Sequence, residues 1–141
     1  FCRCTSLTTI GSTSGVVTLA SVESIGTRAF YGCTSLKKVN LSSTELTSIG
    51  TGAFQGCSKL TSFTSKSEEL KSIGEKAFYK DSKLATVTLY TSKLTKNRVK
   101  ANAFKGIAGT CTFKVPSKKV SSYKTIFQAA GAGKKISVKA K

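Results

Sequence analysis

Apolar residues recur along this chain with a period far longer than that of a helix or a strand. The string A-F-x-G-C-(T/S)-x-L runs from Ala29 to Leu36 and again from Ala53 to Leu60. It weakens to Ala77-Phe78-Tyr79-Lys80-Asp81-Ser82-Lys83-Leu84 and survives as Ala103-Phe104-Lys105-Gly106. The chain opens on its remnant, Phe1-Cys2-Arg3-Cys4-Thr5-Ser6-Leu7. Successive Phe positions are 29, 24, 24 and 26 residues apart. Such phasing marks an array of repeats.

Each unit has the same parts. After the Leu comes an alternating stretch, Leu36-Lys37-Lys38-Val39-Asn40-Leu41 or Leu84-Ala85-Thr86-Val87-Thr88-Leu89. Its spacing points Val39 and Leu41 to one face of a strand. A Ser/Thr-rich turn follows. A second apolar pair then ends in Ile-Gly, as in Val22…Ile25-Gly26, Leu46…Ile49-Gly50 and Leu70…Ile73-Gly74. The Gly is expected to allow a sharp turn with positive φ. About one helical turn is expected next, ending near Gly32 or Gly56.

A unit of this size cannot bury its own Phe, Leu and Ile, so it must stack on its neighbours. Phe30, Phe54, Phe78 and Phe104 then form an aromatic ladder, and Cys4, Cys33 and Cys57 share another repeat position. Residues 110–141 are expected to leave the repeat. Cys111, Phe113 and Val115 alternate as a strand that ends at Pro116. Ser117 is placed to cap a helix running to about Ala130, with Val120, Tyr123, Phe127 and Ala130 on one face. Gly131 and Gly133 stop it, and Ile136 and Val138 alternate in a last strand. The domain reading is repeats over 1–109 and a cap over 110–141.

The repeat S-I-G-x-x-A-F-x-G-C-x-x-L resembles the BspA-type leucine-rich repeat of bacterial surface proteins. The resemblance covers about residues 1–108, in three good copies and two degraded ones. It implies an α/β repeat solenoid: a right-handed superhelix of short strands and short helical turns, with a C-terminal helix-strand cap. It also implies secretion or display at the cell surface, and adhesion to host proteins or to other cells. The segment from Val115 to Tyr123 resembles the closing V-P-x-x-x-V-x-x-Y pattern of such proteins. The departures are Lys80 and Asp81 for Gly and Cys, Lys100 for the Gly of Ile-Gly, a longer segment from Lys93 to Lys100, and extra residues around Gly11–Gly15.

Charge adds a second theme. The net charge is +17. Residues 1–81 carry +3 and residues 82–141 carry +14, with no acidic side chain in the second part. A block this one-sided attracts polyanions: nucleic acid, teichoic acid, sulfated glycans or an anionic membrane surface. The same lysines also read as an ordinary solvated face. No apolar run approaches the roughly 18 residues needed to span a bilayer. The chain holds no Met and starts inside a repeat, which reads as a piece of a longer protein.

Catalysis is hard to build from this inventory. His is absent, and adjacent Glu68 and Glu69 would point to opposite faces of a strand. No nucleophile-elbow, Walker or zinc-protease string is present. With no His and no second close Cys pair, no metal site or cofactor is expected. The cysteines leave two readings open, disulfides between neighbouring rungs or a ladder of buried thiols, and the second is the simpler. Asn40-Leu41-Ser42 matches a glycosylation acceptor, a short and common string.

What remains is binding. Candidate ligand-binding residues are the outward strand positions Lys37, Lys38 and Asn40, then Thr61, Ser62 and Thr64, then Ala85, Thr86 and Thr88. The basic C-terminal part adds Lys118, Lys119 and Lys124, with Lys114, Lys134 and Lys135. The leading expectation is a non-enzymatic adhesion module whose partner is a protein or glycan on a host or neighbouring cell. Electrostatic attachment to an anionic cell-wall polymer is the alternative. Nucleic acid is third, because charge alone motivates it.

Overall fold

The structure is a computed structural model, and it describes residues 2–4, 9–10 and 21–141. Phe1, Leu7 and the extra residues near Gly11–Gly15 lie outside that set. Strands β1 (Thr9–Ile10), β3 (Lys38–Leu41), β5 (Ser62–Ser65), β7 (Thr86–Leu89), β8 (Thr112–Val115) and β9 (Ser137–Ala140) form one sheet in that order, and each pair is parallel. Strands β2 (Ser24–Ile25), β4 (Ser48–Ile49) and β6 (Ser72–Ile73) form a second parallel sheet. Helix α1 spans Val120–Ala129.

Register follows the repeat. Val39 pairs with Phe63 and Phe63 with Val87, each 24 residues on. Strict alternation then buries one face, as Val39 and Leu41 are buried in β3 while Lys38 and Asn40 are exposed. Among the described residues, the apolar inward side chains meet in one core. Within it the rings of Phe30, Phe54, Phe78 and Phe104 stack at 5.2, 5.2 and 5.4 Å, tilted by 8, 9 and 4°. The aromatic ladder expected from the repeat is therefore present.

The expected helical turn is not. From Arg28 to Cys33 alternate N–H groups do different jobs. Those of Ala29, Tyr31 and Cys33 close tight turns onto Gly26, Arg28 and Phe30. Those of Arg28, Phe30 and Gly32 instead donate to Thr51, Ala53 and Gln55 of the next unit, at 2.9, 2.7 and 2.8 Å. Half the donors are thus committed between units and cannot enter a helical ladder, so this side is a stack of turns.

The Gly of Ile-Gly also has a different role from the one expected. Gly50 and Gly74 do not sit at positive φ. A Cβ on Gly50 would lie 2.6 Å from the Thr27 nitrogen, and one on Gly74 would lie 2.5 Å from that of Thr51. Glycine is needed there because neighbouring units touch backbone to backbone. Lys100 stands at the equivalent place, and there the pairing shrinks to the single bridge Ile73↔Val99. Positive φ belongs to the G of A-F-x-G, at Gly32, Gly56 and Gly106 with φ of 66, 77 and 83°. Lys80 occupies the same rung at 64°.

The C-terminal residues, expected to leave the repeat, continue its sheet through β8 and β9. Between these strands α1 buries Tyr123 and Phe127. Phe127 stacks on Phe113 at 4.3 Å and meets Phe104 edge-on at 5.4 Å. The Tyr123 hydroxyl donates to Thr91 O and accepts from Leu94 N, each at 3.1 Å. Ser117 does not cap α1. It opens a 3-10 turn, Ser117–Lys119, and no side chain caps the α-helix, because the chain enters that turn directly from Pro116. Gly131, at φ 93°, ends the helix as expected.

Candidate functional site

The solvent face of the six-stranded sheet is built by the same alternation that builds the core. Two rows cross it in register. One runs Lys38, Ser62, Thr86, Thr112, Ser137, and the other Asn40, Thr64, Thr88, Lys114, Lys139. Of the expected ligand-binding residues, Lys38, Asn40, Ser62, Thr64, Thr86, Thr88 and Lys114 stand on these rows. Lys38 and Asn40 are exposed, and the three threonines are half-buried between their neighbours.

The others lie apart. Lys37 and Thr61 precede their strands, and the Thr61 hydroxyl donates to Lys37 O at 2.9 Å. That hydroxyl is a stitch between units rather than an open surface group. Lys118 and Lys119 are on the 3-10 turn and Lys124 is on α1, off the strand rows.

Acidic groups avoid this face. Glu23, Glu45, Glu68 and Glu69 lie in the turns that join the two sheets, and Glu75 lies in the stack of turns. Lys93 pairs with Glu69 and holds its carboxyl below the usual range. Lys76 pairs with Glu75 at 3.4 Å. Both pairs are exposed and contribute little to stability.

A column of hydroxyls inside those turns escaped the sequence reading. Ser43 donates to Val22 O at 2.9 Å, Ser67 to Leu46 O at 2.8 Å and Thr91 to Leu70 O at 2.6 Å. Each also accepts from the N–H two residues on, Glu45, Glu69 or Lys93. All three residues are fully buried. Their 24-residue spacing before a Leu was the available signal. It was submerged in a chain rich in Ser and Thr.

The buried thiols and Asp81 form the remaining chemistry. Cys33 and Cys57 are fully buried, Cys4 is half-buried, and all are thiols rather than disulfides. The Cys57 Sγ–H donates to Phe30 O at 3.2 Å. Burial pushes the Cys57 thiol well up, with the Asp81 carboxyl adding to the effect, and pushes the Cys111 thiol up to about 12. A thiol held protonated is a poor nucleophile and a poor metal ligand. Asp81 continues the column in the next unit. Its Oδ1 accepts from Cys57 N at 2.8 Å, while Oδ2 has no hydrogen-bond partner. Burial raises its carboxyl well above the usual range. No group of three or more metal-ligating side chains is present among the described residues.

Neither a curated protein nor a solved structure matches the chain. A family model described as the BspA type leucine rich repeat region matches residues 1–132, in 6 copies. That is one copy more than the five visible by eye, and it reaches past residue 109. The geometry accounts for the extension, since Phe104 N donates to Ala130 O at 3.0 Å as Phe30 N does to Ala53 O. With 132 residues matched and the stacking in register, the chain belongs to the BspA-type leucine-rich repeat family.

Proposed function

We propose that this chain is a non-enzymatic, surface-displayed adhesion module that binds a protein on a host or neighbouring cell through the outer face of its six-stranded sheet. Repeats of this family are generally binding modules and commonly mediate protein binding, and proteins that carry them are typically extracellular or at the cell surface. One observation carries the choice of face. Inward strand residues stay apolar from unit to unit except Ser65, whereas outward ones change from Lys38 to Ser62, Thr86 and Thr112. Stacking constrains the first set and leaves the second free for recognition. In this reading the units wind as a right-handed solenoid over residues 1–109, and residues 110–141 cap its end.

The test is binding of the purified chain to host matrix proteins and to intact cells. Replacing Thr64 and Thr88 together by Tyr adds bulk without charge. Binding should fall about tenfold, as when a well-packed interface residue is disrupted. Binding to neither target, or binding indifferent to the double variant, would overturn the reading.

A second reading has its own support. The excess of +14 in residues 82–141 favours attachment to anionic cell-wall polymers. Retention on isolated walls should then collapse between low and high salt. Salt-insensitive retention would exclude it. Nucleic acid has charge alone in its favour, and a gel shift without complex at physiological salt would dispose of it.

A further inference from the structure

Beside the split by half, the outer face of the six-stranded sheet carries charge of one sign. Lys38, Lys114 and Lys139 stand on the outward rows of the six-stranded sheet. Lys66 and Lys141 continue the outward alternation just past β5 and at the end of β9, and both are exposed. Among the described residues no carboxylate shares these positions. Three more lysines, Lys37, Lys59 and Lys83, are exposed in the turns that lead into the strands.

Lys114 and Lys139 are register partners on adjacent strands. Strands lie about 4.8 Å apart, and like charges directly opposite destabilise a sheet. No acid on the rows relieves that pair. Beside the lysines run hydroxyl rows, Thr86, Thr112 and Ser137 in one and Thr64 and Thr88 in the other. Anionic and hydroxyl-bearing groups are what such a surface complements.

We infer that this face binds a linear anionic glycan, one that carries sulfate or uronate groups among its sugar hydroxyls. The lysines take the anionic groups, and the Ser and Thr rows take the hydroxyls. The inference rests on the second reading above and deepens it, moving the site from the C-terminal half to one face and naming the polymer. Nucleic acid suits the face less well. Among the described residues Tyr90 is the one aromatic at the outward positions, and Lys141 Nζ sits 3.8 Å from its ring centre. No open ring is left for base stacking.

The probe is heparin, a sulfated glycan, titrated calorimetrically into the 141-residue chain, with neutral dextran and a DNA duplex in parallel. Heparin should bind in a salt-dependent manner and dextran should not. The triple variant Lys114→Gln, Lys139→Gln, Lys141→Gln should weaken heparin binding about tenfold or more. The triple Lys96→Gln, Arg98→Gln, Lys100→Gln removes the same charge from exposed positions around Val99 and should stay within about twofold. Equal losses in the two triples would overturn the face. Failure to bind heparin, with wall binding intact, would overturn the glycan and leave the second reading standing. Tighter binding of the duplex through the same three lysines would overturn the polymer class.

Discussion

The phenylalanine stack crosses two regions that hold it by different means. From Phe30 to Phe104 each ring has its own copy as neighbour, and the rings lie nearly parallel. Phe113 meets Phe104 edge-on at 5.2 Å, as Phe63 meets Phe54 and Phe78 in the regular region, but beyond Phe104 the next ring is Phe127 from a helix. A repeat can satisfy itself wherever another copy follows. Where no further Phe of the stack follows, the ring meets a partner of different orientation. Residues 110–141 supply it without breaking the sheet, because β8 and β9 keep its register while Phe127 of α1 packs on Phe104.

The largest expected effects test whether the two regions stand or fall together. Phe54→Ala and Phe127→Ala each remove a fully buried ring, at a cost of about 3–5 kcal/mol. Their consequences should differ. In a stack where each unit touches only its neighbours, damage at the end spreads least. Phe127→Ala should expose the amides of β8, α1 and β9 to hydrogen exchange while those of β4 to β6 stay protected. Phe54→Ala should deprotect both sides at once. Uniform loss of protection in Phe127→Ala would show one cooperative unit.

The next effect lies inside the regular region, at the one carboxyl sealed into its core. Asp81 is fully buried, and its Oδ2 is unpartnered. Burial raises its folded pKa well above the usual value, whereas in the unfolded chain it is about 3.9. Between the two values the native state binds more protons than the unfolded one, so stability falls as pH rises. The contribution is complete below the unfolded value and is lost as pH climbs through the folded one. Asp81→Asn keeps the shape and the acceptor for Cys57 N but cannot ionise. It should match the parent near pH 4 and exceed it at pH 8 by about 1–3 kcal/mol, the scale of an unsatisfied buried polar atom. Urea midpoints at the two pH values decide this, and parallel curves would show that Asp81 does not titrate on unfolding.

Tyr123 ties the C-terminal segment back to the last regular turn. Tyr123→Phe leaves Leu94 N and Thr91 O without their buried partner, which should cost about 1–2 kcal/mol. Thermal melting of the variant measures it. An unchanged midpoint would mean that packing alone holds α1.

How much of this was legible in sequence follows the same division. The Phe rungs, the alternating strands and the buried face of α1 were readable because burial stamps a period on the chain. The turn stack was misread because its cause is a hydrogen bond to the next unit, and nothing local marks which N–H groups look across rather than along. The Gly of Ile-Gly was noticed for its conformational freedom, yet its need is the 2.6 Å approach of Thr27. The candidate face was partly legible: Lys38 and Thr88 were on it, but Lys118 and Lys124 were drawn in by charge along the chain. Charge by face emerges only when register sets Lys114 beside Lys139.

The smallest expected effect asks whether the weakened third copy is a defect or a tolerated variation. Lys80 stands at the left-handed rung filled by glycine in the copies on either side, Gly56 and Gly106. A side chain there costs about 1–2 kcal/mol in backbone strain, and glycine removes the strain while adding freedom to the unfolded chain. The two terms oppose, and strain is the larger. Lys80→Gly should therefore stabilise by less than about 1 kcal/mol. Lys80→Ala is the control, since it keeps the Cβ and should give no such gain. Lys80 also places its Nζ 5.6 Å from the Tyr79 ring centre, and both variants remove that cation–π interaction equally. The difference between Gly and Ala in chemical unfolding thus isolates the backbone, and an Ala variant as stable as the Gly one would show that this rung carries no strain.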